Sequence, residues 1–133
     1  MRVTKQANRA ARVNTHFRDT RDAMCDALDS LLQYRSREIA RSIEVASSGS
    51  TNDEVPSVEM ARELRGVCRY HLLKLRILMP DEEIPDRYAR LLDYAHRIGD
   101  LVGDEGAELA RSVRLGVDAL AADYGRMEAS ARD

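Results

Sequence analysis

The chain has 133 residues, of which 44% are hydrophobic and 33% charged, and a formal net charge of -2. That length leaves room for one domain with a modest core, and the charged share exceeds the roughly 25% of an average soluble domain. A balance so near neutral does not point to nucleic acid or an anionic membrane as a global partner, and no stretch approaches the roughly 18 consecutive apolar residues of a membrane span.

No apolar run near the N-terminus could act as a secretory signal, so a soluble, cytoplasmic protein is expected. Cys25 and Cys68 form no Cys-x-x-Cys pair and read as reduced, helix-borne thiols. Charge is unevenly spread. Arg2, Lys5, Arg9, Arg12 and Arg18 occupy residues 1–18 without an acid, leaving 16 basic and 23 acidic side chains in the remainder. A basic arm, 1–14, thus precedes an acidic body. Nineteen of the 21 basic residues are arginine, a bias that suits a GC-rich bacterial or phage genome.

The prolines, Pro56, Pro80 and Pro85, stand between segments whose apolar residues recur every three or four positions. The first segment runs from about Val3 to Ala46 and places Phe17, Met24, Leu28, Leu31, Ile39, Ile43 and Ala46 on one helical side. At 1.5 Å per residue such a helix spans roughly 65 Å, about twice the reach of the later ones, so its N-terminal part overhangs, bends or frays.

Residues 47–57 have the composition of a flexible loop, and Ser57 is placed to cap the next helix. The second helix turns Val58, Ala61, Leu64, Cys68, Leu72, Leu75 and Met79 inward and stops before Pro80. In the acidic stretch that follows, Asp81 can cap a third helix, which starts near Glu82 or Pro85 and carries Tyr88, Leu91, Leu92, Ala95, Ile98 and Val102 on its apolar side. Gly103 is the expected stop and Asp104 the next cap. The fourth helix then shows a narrow seam of Ala110, Val113, Val117, Leu120, Tyr124 and Met127. The expected fold is all-α: an antiparallel four-helix bundle with a long first helix whose N-terminal part overhangs, in a single domain spanning 1–133.

Chemistry-bearing patterns are sparse. Helical bundles often hold metals on inward Glu and Glu-x-x-His spacings, but the nearest approach, Asp93-x-x-His96, points well away from the apolar side of its helix. His71 reads as a hydrogen-bonded core or boundary histidine, and His16 has no obvious partner. There is no nucleophile elbow, no phosphate-cradling glycine loop and no sequence-local base for either cysteine. No metal, no cofactor and no enzymatic activity are expected. Gly66, Gly99, Gly116 and Gly125 fall inside helices, where some would allow helices to approach closely.

The sharper signal is on the second helix, which is apolar on two opposed sides. Gly66, Tyr70, Leu73 and Ile77 cluster opposite Leu64, Cys68 and Leu75, flanked by Arg62, Arg69 and Arg76 with Arg65 close by. An apolar strip rimmed by arginine is the composition of a protein interface. The competing expectation is that the first helix covers this strip within the same chain. A second candidate interface lies on the first helix, where Arg2, Lys5, Arg9 and Arg12 match the spacing of Asp19, Asp22, Asp26 and Asp29. Two copies paired antiparallel would set each cation opposite an acid, although exposed pairs contribute at most about 1 kcal/mol each. The expected function is a protein–protein interaction module, homodimeric, acting as an adaptor, inhibitor or regulatory subunit. The alternatives are a nucleic-acid-binding protein using the basic helix and a bundle that binds a small ligand or a metal. A membrane partner is not expected.

Overall fold

The computed structural model describes residues 2–48, 57–80 and 82–132, and in 2–11, 13, 14, 48, 57 and 132 it describes the helical backbone alone. Four helices follow in order: α1 (Arg2–Ser48), α2 (Ser57–Leu78), α3 (Ile84–Ile98) and α4 (Asp104–Arg132). They form the expected up-down-up-down bundle. The C-terminal half of α1 lies beside the start of α2, while Arg21, nearer its beginning, pairs with Glu128 at the far end of α4. Among the described residues α1 packs on all three other helices, and α2 and α4 do not touch. They occupy opposite corners, so α2 has only α1 and α3 to bury it.

The apolar spacing explains the core directly in α4, where Ala110, Val113, Val117, Leu120 and Tyr124 are buried and Met127 is half-buried. Ala61, Cys68 and Leu75 do the same for α2, with Met79 buried just beyond its end and Val58, Leu64 and Leu72 half-buried, and Ile84, Tyr88, Leu92, Ala95 and Ile98 for α3, with Leu91 half-buried. The Tyr88 hydroxyl donates to the Ala27 carbonyl at 2.9 Å, which satisfies a polar tip taken deep into the core. Arg35 Nε donates to the Ala110 carbonyl at 2.7 Å, and Arg87 meets Asp123 at 2.6 Å, tying α4 to α1 and α3. At 47 residues α1 rises about 70 Å against about 33 Å for α2, so its N-terminal part overhangs.

The structure corrects the inward face of α1. Met24 and Leu31 are buried, Phe17, Leu28 and Ile39 half-buried, and Ile43 and Ala46 exposed. The buried stripe instead runs Thr20, Ala23, Met24, Ala27, Leu31, Tyr34, Glu38 and Arg41. A reading that counts only apolar residues misses its last turns, because a glutamate and an arginine complete them. Val102 is 63% exposed for a related reason, since α3 ends at Ile98 rather than at Gly103. Two tight turns close it, with the N–H groups of Asp100 and Leu101 donating to the carbonyls of Arg97 and Ile98. Gly103 has φ +73°, a left-handed conformation that glycine adopts without steric cost, and its carbonyl accepts from the Ala107 N–H to start α4. Asp104 therefore lies in the first turn, where its charge complements the helix dipole, and the residue before it takes the capping position. At α3 that position falls on Glu83, without a side-chain cap. Asp81, residues 49–56 and the Ser57 side chain lie outside the described residues.

The cysteines differ sharply. Cys25 is exposed and Cys68 fully buried, and burial pushes the Cys68 thiol up to about 11. At neutral pH it stays protonated, and the thiolate is the reactive form. A thiol-reactive disulfide reagent is expected to titrate one cysteine in the native chain and two in denaturant; two fast-reacting thiols in the native chain would contradict this packing.

Candidate functional site

The two-sided character of α2 survives in three dimensions. Cys68 and Leu75 are fully buried, whereas Tyr70 is 62%, Leu73 63% and Ile77 78% exposed on the opposite side. The physical cause is the corner position of α2. Both neighbours pack on its inner half, so α1 does not cover the outer strip. Single exposed apolar side chains are ordinary, but three on adjacent turns of one face form a patch of the kind found at contact surfaces. Val67, at 41% exposed, widens it on one side.

The predicted residues around the strip take distinct places. Gly66 is exposed and a β-carbon there would meet nothing within 4 Å, so it leaves a notch in the face and serves no close helix approach. Gly125 is similarly open, while a β-carbon at Gly99 would overlap Arg41 and Glu38, and one at Gly116 would overlap Leu91. Arg69 is exposed, and Arg76 is drawn to Asp86 of α3 at 2.9 Å. Arg62, also exposed, turns toward a small cavity between helices.

On α1, Asp19, Asp22, Asp26 and Asp29 are all exposed, and none makes an ion pair among the described residues. Asp29 accepts a hydrogen bond from Gln33 at 3.1 Å. Arg12 is exposed, and the side chains of Arg2, Lys5 and Arg9 lie outside the described residues. The structure therefore brings the acidic stripe to the surface and leaves its proposed pairing open.

A polar cluster between α1, α2 and α3 was not foreseen. Glu38 and Arg41, 2% and 7% exposed, form a pair in which Arg41 Nη2 and Nε donate to Glu38 Oε2 at 2.6 and 2.9 Å. Gly99 makes the room for it. The Tyr34 hydroxyl stands 3.1 Å from His96 Nδ1, which lies 3.9 Å from Glu38 Oε1, and Asp100 lies 3.7 Å from Arg41. Burial and the Glu38 carboxylate together push the Tyr34 phenol far above its ordinary range, so it stays protonated. His96 is thus half-buried against α1, contrary to the outward placement expected of it, while Asp93 is exposed. The usable signal was Glu38 and Arg41 continuing the stripe of Leu31 and Tyr34 at spacings of four and three. His71 is a boundary residue as expected, but the hydrogen bond expected of it is missing at Nδ1, which is buried without a hydrogen-bond partner.

Among the described residues, no group of three His, Cys, Asp or Glu side chains could hold a metal ion, and no helix is long and apolar enough to cross a membrane. No family model matches the chain, and no curated protein or solved structure matches it either.

Proposed function

We propose that this chain is a non-catalytic protein-interaction module that works as a homodimer, with the outer face of α2 as its docking surface. The observation that carries the reading is the exposed apolar strip of Tyr70, Leu73 and Ile77 on a helix whose other side buries Ala61, Cys68 and Leu75. Burying such side chains recovers about 25 cal/mol per Å² of apolar surface, which is the driving force for association.

A second copy fits the strip because the face complements itself. Gly66 and Ile77 stand three helical turns apart on the same side, one a notch and the other the most exposed of the large apolar side chains. Across a two-fold axis near residues 71 and 72, Ile77 of each copy meets Gly66 of the other and Tyr70 meets Leu73. Such an isologous arrangement closes at two subunits. The arginine edges adjoin in this register, and Asp86, held beside Arg76, supplies a carboxylate there to offset the like charge of Arg69. A cytoplasmic adaptor, inhibitor or regulatory subunit of bacterial or phage origin is the role that suits a small module of this kind.

The full chain has a mass of 15.0 kDa. Sedimentation velocity over a concentration series is expected to show a dimer of twice that mass, dissociating on dilution. A species of single-chain mass at every concentration would contradict the proposal.

A further inference from the structure

The polar cluster borders an open cavity of about 150 Å³ between α1, α2 and α3, lined by Tyr34, Glu38, Arg41, Arg62, Arg65 and His96 together with Val58 and Ala61. Its charge is unbalanced. Glu38, the one carboxylate in the wall among the described residues, is engaged at Oε2 by Arg41 through two N–H groups of the same guanidinium. Arg62 and Arg65 make no ion pair among the described residues, so two cations face the cavity in surplus. Arg65 Nε is moreover buried without any acceptor. Buried polar groups are nearly always satisfied, and one left without a partner forfeits its interaction with water.

We propose that this cavity is a binding site for a small tetrahedral oxyanion, inorganic phosphate or the phosphoryl group of a compact ligand, held chiefly by Arg62 and Arg65. Guanidinium groups present a planar fork of N–H donors that matches phosphate oxygens, and charge-assisted bonds of this kind are about twice as strong as neutral ones. The Tyr34 hydroxyl and His96 supply further polar contacts at the wall. The volume leaves room for one phosphate group. This inference is independent of the dimer, because the cavity lies within one subunit.

Calorimetric titration of inorganic phosphate into the full chain, at constant ionic strength and against sodium chloride as reference, is expected to show saturable binding of one anion per chain. Arg65→Met should weaken it about tenfold or more, the equivalent of one charge-assisted bond, and Arg62→Gln should weaken it measurably. With the unsatisfied Nε of this half-buried side chain removed, Arg65→Met should also melt at or above the wild-type temperature in phosphate-free buffer. Heats no greater than those of chloride, or phosphate binding unaltered by either substitution, would overturn the proposal. Acetate binding as tightly as phosphate would overturn the tetrahedral assignment. If Arg65→Met fails to fold, Arg62→Gln at its exposed position decides the question alone.

Discussion

Replacing Leu73 by glutamate is expected to convert the dimer to a monomer while leaving the helical circular dichroism intact. Leu73 is 63% exposed in the single subunit, and glutamate is a good helix former, so the isolated fold should change by no more than about 0.5 kcal/mol. At the docking face the same substitution removes an apolar contact and buries a carboxylate. A central interface residue is worth about 2 kcal/mol or more, and a two-fold dimer carries the change twice. Association should therefore weaken roughly a thousandfold, which sedimentation would register as a loss of the dimer. Leu75→Glu supplies the contrast. Leu75 is fully buried on the opposite side of α2, and a charge there should abolish cooperative folding. Two positions apart, the two variants separate docking from core packing; a collapse of helicity in Leu73→Glu would assign the strip to the core.

The second large effect is expected at the Glu38–Arg41 pair. Glu38→Ala leaves the Arg41 guanidinium 7% exposed, with Asp100 at 3.7 Å as its nearest remaining counter-charge. Removing one member of a buried pair costs about 3–5 kcal/mol, chiefly because the partner keeps its desolvation penalty without compensation. That is a large fraction of the roughly 5–15 kcal/mol that holds a typical domain together. Replacing both residues by methionine should cost less than the two single changes combined, since no uncompensated charge is left behind. Chemical denaturation of the two single variants and the double variant measures this directly. Strict additivity, or a loss under about 1 kcal/mol for Glu38→Ala, would contradict the buried-pair geometry.

The contrast between α4 and α1 explains how much was legible in the sequence. Ala110, Val113, Val117, Leu120 and Tyr124 were readable because every buried residue of that seam is apolar or aromatic and the spacing never breaks. The number and order of the helices followed from the prolines and from Gly103. The last turns of α1 were not readable in the same way, because Glu38 and Arg41 look like a solvated pair until α3 closes over them and Gly99 yields them space. His96 was misplaced for the same reason, since its neighbours Tyr34 and Glu38 lie on a helix more than fifty residues earlier in the chain. The strip on α2 was visible as a second apolar face, but its exposure depended on α2 occupying a corner that α4 does not reach, a property of packing alone.

The pairing of two α2 faces is tested most directly by a spin-label distance between subunits. Lys74 is exposed at the edge of the strip, and a nitroxide placed there in a Cys25→Ser chain would leave only the buried Cys68 thiol unlabelled. Packed helices lie about 8–10 Å apart, so labels at position 74 in the two copies should give one narrow intersubunit distance at the short end of the measurable range. A label at exposed Arg111 of α4 should give a much longer one. A short distance at 111 with a long one at 74, or no intersubunit coupling at either position, would contradict the account.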